Sequence, residues 1–397
     1  MEVTSIESSF KVDDECNDWP LLESMDDIDM QIDIVQPFLD FFTLPSQLLE
    51  IKDDIEKTDD NGVLQIYSYK KCTNTSDEKI QACRGLIFNN EILIAGSLGY
   101  TLEYNEESVP DLTISSYSIF PSEEGTLLRV FFYNDKWFIS THRKLDAFKS
   151  RWGNGETFGE IFLTCINCSM DEFTSRLNKY NVYFFLIRNT KGNRIVSNPP
   201  DVSIVYHVGT LLHNEIFDTS LNVGIPKQNQ MTFTSVNEIR DYVKSCDPLK
   251  TQGLILFNND NSGKNIKIVN SCYQHYNRIR NNEPNLTFRF IQLWKDRQLP
   301  IFTTFLELYP EFKEKVSLLD FHSVKMAKYL QNMYFKKFVK KEKLVFQKDE
   351  WNILKNVHAW YWADRQNRKV TFDVMYKMML EDSNIRSFYQ LFKKVGK

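Results

Sequence analysis

The sequence predicts an α+β protein with a strand-rich region from about residue 36 to 284 and an all-α region from 285 to 397. Three observations carry this reading: β-type runs confined to the first region, helical spacing confined to the second, and a strong segregation of charge along the chain. At 397 residues the chain is long enough for two domains. A hydrophobic share of 42%, with 14% aromatic, belongs to a globular protein.

In order, LQIYSYK, RGLIF, EILIAGS, TLLRVFFYN, KWFISTH, YFFLIR, RIVS, SIVYHVGTLL and GLILF are β-rich runs bounded by turn residues. Tyr133-Asn134-Asp135 separates two of them and predicts a hairpin turn. Ser235 to Glu238 (SVNE) predicts a capping box opening a helix that runs to Cys246. After Pro284 the runs FLELYPEFKEKV, FHSVKMAKYLQNMYFKKFVKK, EWNILKNVHAWYWADR and VTFDVMYKMML have helical periodicity and little strand signal.

The net charge of −5 hides an asymmetry. Residues 1–60 hold 18 acidic and 3 basic side chains, whereas residues 285–397 hold 22 basic and 12 acidic. Residues 1–35 read as an acidic, mostly disordered leader, either a solubilising tail or a screen for a basic groove. The basic C-terminal region suits a polyanion partner or a plain solvated surface. No run of eighteen apolar residues and no basic-then-apolar N-terminus occurs, so neither a membrane span nor a secretory signal is indicated. Seven scattered cysteines suit reduced thiols and a cytoplasmic location.

Several chemistries are excluded by their motifs. There is no GxxxxGK[ST], GxGxxG, HExxH or GxSxG. Cys165 and Cys168 form one CxxC with no second ligand pair, so free thiols are expected rather than zinc, and no metal site is predicted. HAWYWADRQNRK, His358 to Lys369, serves either core packing or base stacking beside Arg365, Arg368 and Lys369. Lys336, Lys337, Lys340 and Lys341 in KKFVKKEK make either a solvated face or a phosphate contact.

Six segments in order resemble the nucleotidyltransferase domain of phage-type RNA ligases of the tRNA-repair branch. ACRGLIF (Ala82–Phe88) is similar to the strand preceding the reactive lysine, and FPSEEGTLLR lies in the place of K-x-D-G. STHRKLDAF, YFFLIRNTKGNRIV, TQGLILF and NIKIVNSCY resemble the later motifs. Together they span roughly residues 65–280. The phrases S-x-E-G-T and STHRKLDAFKS, with a Tyr-rich helical tail, resemble more closely the ligase-like proteins of giant DNA viruses and cytoplasmic linear elements. The resemblance implies an ATP-grasp-like ligase domain of antiparallel sheets with short helices, followed by a helical domain.

In that family a lysine amine attacks a nucleotide α-phosphate, carboxylates contact sugar and metal, and lysines neutralise growing phosphate charge. Here the nucleophile position holds Ser122, the two glutamate positions hold Leu186 and Gln252, and one of two late lysines is Val269. Glu124, Gly125 and Lys267 survive. The resemblance therefore implies a degenerate ligase that binds RNA, tRNA or tRNA ends above all, through Arg84, Glu124, Gly125, Arg129, His142, Arg143, Lys144 and Lys267. Its basic tail would grip the backbone. Such a protein would shield or sequester RNA, for instance as an immunity factor against an RNA-cleaving toxin. One rival is an active ligase with a relocated nucleophile, Lys144 or Lys267, using ATP or GTP with Mg. The other is a scaffold without RNA binding.

Overall fold

The structure is a computed structural model and describes residues 44–152, 155–190, 194–259, 264–381 and 383–395. The expected acidic leader thus lies outside the described residues. The chain forms two compact units, the β-rich Phe38–Pro284 and the helical segment Asn285–Lys397. This is the mixed α/β architecture expected, with a helical C-terminal region.

Three sheets build the first unit. Sheet A is β1 (Ile55–Asp60), β2 (Gln65–Tyr69), β3 (Arg84–Asn89) and β4 (Ile92–Ala95), paired antiparallel in that order. Sheet B has the order β5 (Leu102–Asn105), β13 (Ile266–Val269), β12 (Gly253–Asn258), β6 (Tyr117–Ser122), with β5 and β13 parallel and the other pairs antiparallel. Sheet C is antiparallel in the order β11 (Ile216–Asp218), β10 (Ile204–Leu212), β9 (Val182–Arg188), β7 (Thr126–Tyr133), β8 (Lys136–Ser140). Helices α1 (Glu78–Ala82), α2 (Phe158–Ile166), α3 (Met170–Thr174), α4 (Val236–Ser245) and α5 (Ser271–Arg280) pack around them.

Alternation along the strands decides which cores form. On sheet C, Leu128, Val130, Phe185 and Ile187 face outward into a core closed by Phe162 of α2 and Phe173 of α3. The alternate residues Phe131, Val182 and Phe184 join Ile66 and Ile87 of sheet A and Phe120 and Phe257 of sheet B in an inner core. The opposite face of sheet B, through Leu254, Leu256, Ile266 and Ile268, packs on Ile239 and Val243 of α4.

The turn chemistry agrees with the sequence at two places. Asn134 and Asp135 have φ of 46° and 59°, the two left-handed residues a two-residue hairpin between β7 and β8 requires. Ser235 caps α4 by accepting the Glu238 N–H at 3.2 Å, but the Glu238 carboxylate reaches one residue further back, to the Thr234 N–H and hydroxyl. One expected strand is absent: RIVS forms no ladder, because its backbone N–H groups bond a side chain instead.

The second unit contains α6 (Leu286–Lys295), α7 (Leu299–Leu308), α8 (Val316–Tyr334), α9 (Lys348–Ala363), α10 (Phe372–Glu381) and α11 (Ile385–Val395). The FHSVKMAKYLQNMYFKKFVKK run is not one regular helix: α8 gives way to a π turn over Phe335–Val339, and Lys341 has φ of 57°. Buried Glu350 of α9 accepts the Tyr329 hydroxyl of α8 at 2.9 Å and the Lys394 ammonium of α11, tying three helices together.

His207 of β10 is buried, its Nε2 3.0 Å from the Thr210 hydroxyl, and burial pushes its pKa down to about 4, with Lys227 adding to the effect. Between its ordinary 6.5 and about 4, the unfolded chain takes up a proton that the fold refuses. Stability should therefore fall as pH drops through that window, by up to about 3 kcal/mol. Denaturation of His207→Phe followed against pH should show a flatter acid limb than the parent; an identical limb would refute the assignment.

Candidate functional site

Register brings several of the positions singled out in the sequence onto one sheet. Across sheet B, Ser122, Gly253, Val269 and Asn105 form one row, and Phe120, Ile255, Lys267 and Glu103 form the next row on the same face. Ser122, Val269 and Lys267 thus share the sheet face that carries Phe120 toward the inner core. Ser122 ends β6 only 6% exposed, and its hydroxyl lies 3.4 Å from the Gln252 side-chain oxygen. The Ser122 carbonyl accepts the Gln252 N–H at 2.8 Å and the Thr251 hydroxyl at 2.9 Å, so the two positions are laced by backbone as well.

Lys267 is half-buried, and burial holds its ammonium pKa below the lysine range; nearby Glu103 and Glu124 oppose this and Arg84 reinforces it. Leu186 lies on β9 opposite Leu127 and Tyr206, on the side of sheet C that faces the inner core. An apolar side chain stands there, with no acceptor for a sugar or metal.

Glu124 and Gly125 form the crossing from β6 of sheet B to β7 of sheet C. Gly125 is required by proximity: a Cβ there would sit 2.6 Å from the Ile187 carbonyl and 2.7 Å from Leu186 Cδ1. The Glu124 carboxylate accepts the N–H groups of Val196 and Ser197 at 2.7 Å each, that of Ile195 at 3.3 Å, and the Tyr273 hydroxyl of α5 at 2.8 Å. Arg188 Nε donates to the Glu124 carbonyl at 3.1 Å and its guanidinium pairs with Glu123 at the same distance. Glu124 is thus a clasp within the fold, its oxygens committed to four donors.

Arg129 differs from the expectation of a binding residue on the surface. It is buried, donating to the carbonyls of Gly85 at 2.6 Å and Gly96 at 2.8 Å and to the Ser140 hydroxyl at 3.2 Å. Its charge is spent on backbone carbonyls, and burial lowers its pKa to about 9. With Arg84 and His142 it lines a cavity of about 30 Å³, the room of roughly one water molecule. His142 has its pKa held to about 4 by burial and by the three arginines Arg84, Arg143 and Arg129. Arg143 and Lys144 lean on β1, pairing with Glu56 and, at 3.6 Å, with Asp59. These are exposed ion pairs of small energetic weight, which leave both cations accessible.

A cavity of about 490 Å³ lies on the α2 side of sheet C and is lined by Glu124, Trp152, Glu156, Arg188, Arg194 and Asn198 among others. A third, of about 280 Å³, is lined by Gln81, Tyr100, Glu215 and Lys264. None of these three is lined by Ser122, Gln252 or Lys267. Sequence reasoning missed Arg188, Arg194 and Tyr273, because their roles arise from pairings across the fold rather than from local spacing. Among the described residues no group of three or more His, Cys, Asp or Glu side chains is arranged to hold a metal ion. Cys165 and Cys168 are free thiols packed against the outer core of sheet C.

In the helical unit, Lys336 and Lys337 lie in the π turn and Lys340 and Lys341 follow it. Arg365 stacks over Trp362 at 5.2 Å and Arg368 over Trp360 at 4.9 Å, Arg368 also donating to the Trp360 carbonyl at 2.7 Å. Lys369 is exposed beyond them. Within the aromatic run His358, Trp360 and Tyr361 are half-buried and Trp362 is 53% exposed, so none of its rings is core.

No family model matches the chain. It is 29% identical over 344 residues to the immediate-early protein ICP-46 homolog of Invertebrate iridescent virus 6, a match covering 75% of this chain and 74% of that one. The homolog in Invertebrate iridescent virus 3 is 28% identical over 254 residues, and there the match spans 60% of this chain and little more than half, 56%, of the relative. Among solved structures, a putative ATP-dependent DNA ligase from Aquifex aeolicus aligns with a TM-score of 0.40 at 12% identity, covering 78% of this chain and 86% of that one. An archaeal ATP-dependent RNA ligase gives 0.36 at 10%, covering 89% and 80%. A Naegleria gruberi RNA ligase mutant with ATP and Mn gives 0.31 at 11%, covering 40% and 51%. These structural likenesses are loose and bear on no residue of the site; the sequence relatives are viral.

The clasp at Glu124 is testable. Glu124→Gln keeps the shape but replaces the charged acceptor, and should cost about 2 kcal/mol in urea denaturation. Amide exchange at Ile195, Val196 and Ser197 should accelerate at least about tenfold by local opening. Unchanged exchange at those three amides would rule the clasp out.

Proposed function

We propose that the protein is a ligase-like RNA-binding protein that does not itself transfer nucleotide. The observation that carries this reading is the pairing of Ser122 with Gln252: a buried hydroxyl bonded to a neutral amide stands where the resemblance requires an amine and a carboxylate. A serine hydroxyl cannot form the phosphoramidate, and removing a nucleophile removes most of a rate enhancement. Leu186 and Val269 extend the loss to positions that would hold metal or phosphate.

Binding would use the cations that remain accessible. Arg143 and Lys144 are exposed on one loop, beside a His142 whose lowered pKa leaves its ring uncharged near neutral pH, with Arg84 half-buried nearby. Lys336, Lys337, Lys340, Lys341, Arg365, Arg368 and Lys369 offer a second basic surface carrying exposed aromatic rings. This pairing of rings and cations suits single-stranded or looped RNA, where bases stack and phosphates are neutralised. The substrate we infer is tRNA or its cleaved ends, held rather than sealed, in a cytoplasmic setting. The role we infer is protection or sequestration, as in immunity against an RNA-cleaving toxin. No helix is long and apolar enough to cross a membrane among the described residues.

One observation favours the rival: Lys267 is half-buried with a lowered pKa, and a neutral amine is what an attacking lysine needs. Incubation with labelled ATP or GTP and Mg should leave no adduct stable to denaturation. An adduct lost in Lys267→Ala or Lys144→Ala would establish an active ligase instead. In parallel, changing Lys336, Lys337, Lys340 and Lys341 to Glu should weaken tRNA binding at least about tenfold at moderate salt and flatten its salt dependence. Unaltered binding would remove the helical unit from the interface.

A further inference from the structure

The basic surface of the helical unit carries a feature that phosphate contact leaves unexplained, a contiguous exposed apolar patch. The Phe338 ring stacks on His358 at 3.8 Å and lies 6.1 Å from Trp351, which in turn meets Phe346 at 5.8 Å. Trp362 donates its indole N–H to His358 Nε2 at 2.6 Å, and Tyr334 lies 3.0 Å from Nδ1 on the ring's other edge. The imidazole is thus gripped at both nitrogens, and the cluster is continuous across the end of α8, the π turn and α9. Its outer side is open: Val339 is 62%, Val345 68% and Trp362 53% exposed.

Cations surround this patch. Among the described residues, Lys336, Lys337, Lys340 and Lys341 have no ion-pair partner, and Arg365 lies over the Trp362 ring. Glu342, Asp349, Glu350 and Asp364 are the neighbouring acids of the same segments, and Glu350 is buried and already paired with Lys394, so too few remain to balance them. An apolar centre rimmed by positive charge fits an occupant with the opposite pattern, apolar residues interleaved with acids.

The chain itself contains such a segment. Residues 12–37 hold nine acidic side chains and no basic one. Interleaved with the acids are Trp19, Leu22, Met25, Ile28, Ile32 and Val35. A solubilising tail requires the acids but not the large apolar residues between them.

We propose that residues 12–37 dock in cis on the aromatic-basic patch of the helical unit, the leader's apolar residues against Val339, Val345, Trp351 and Trp362 and its carboxylates against the lysines. The leader then competes with RNA for the same surface, a consequence that rests on the function proposed above. A tethered segment at an effective concentration of about 1 mM and an intrinsic Kd of about 0.1 mM weakens a competitor about tenfold. Selectivity for RNA with unpaired bases follows from this. An RNA that offers both stacked bases and phosphates displaces the leader, whereas one that offers phosphates alone competes with it poorly.

Two measurements on the full chain test the docking. Zero-length carbodiimide crosslinking, read by mass spectrometry, should join leader carboxylates to Lys336, Lys337, Lys340 or Lys341, and these crosslinks should disappear in the Val339→Ser, Trp362→Ala double variant. Binding of a fluorescent single-stranded oligoribonucleotide should tighten about tenfold at 150 mM NaCl when Asp26, Asp27, Asp29 and Asp33 become Asn, and equally when residues 1–37 are deleted. Crosslinks scattered over the surface, with RNA affinity unchanged in both leader variants, would overturn the docking and leave RNA binding intact. Patch crosslinks with no RNA bound by any form would overturn the RNA reading and leave the docking standing.

Discussion

One carboxylate organises the β-rich unit. The crossing from sheet B to sheet C is made through Glu123, Glu124 and Gly125, and a crossing of that length has little structure of its own to hold two sheets at a fixed angle. Glu124 supplies it. By collecting three consecutive N–H groups from Ile195, Val196 and Ser197 and the Tyr273 hydroxyl, it ties the crossing to a long loop and to α5. Buried Arg280, donating from α5 to the Arg194 carbonyl at 3.4 Å, fastens the same loop from the other end. The position of Ser122 opposite Gly253, and of Leu186 beside Gly125, follows from that anchoring.

The same group illustrates how a functional motif and a structural one can share residues. An acidic residue followed by glycine is expected to face a ligand in a ligase; here the acid faces inward and the glycine is demanded by the Ile187 carbonyl at its Cβ position. Arg129 has gone the same way, holding Gly85 and Gly96 to β7 by their carbonyls. Gly85 has φ of +84° and would clash with the His142 carbonyl if it carried a side chain, so the loop after β8 and the start of β3 are locked in contact. The walls around Ser122 are therefore held by groups whose partners lie within the fold itself.

Most of this was legible where the code is local. The nine β runs became strands except RIVS, and the helical texture after Pro284 became helices, because alternation and 3.6-residue spacing are properties of neighbours in sequence. RIVS failed since its apolar content resembles a strand but its N–H groups had a stronger acceptor in the Glu124 carboxylate, seventy residues away in the chain. Short strands such as β5 and β11 carry too few residues to announce themselves. The site divides the same way: Ser122 and Gln252 come from strand ends that the β runs announce, whereas the burial of Arg129 and the cavity around Trp152 and Arg188 depend on tertiary neighbours that no local window contains. The π turn at Phe335 interrupts a run of helical spacing that continues smoothly through it.

The contact between Ser122 and Gln252 restricts which charges that corner of the sheet can hold. Ser122 is enclosed, its carbonyl taken by Thr251 and Gln252 and its hydroxyl facing an uncharged amide. A lysine in that place would put an ammonium in a closed space facing a neutral amide, which costs several kcal/mol. A carboxylate in place of the Gln252 amide would bury an unpaired anion instead. Neither charge is accommodated alone, so this corner of the sheet admits an ion pair only if both residues change together.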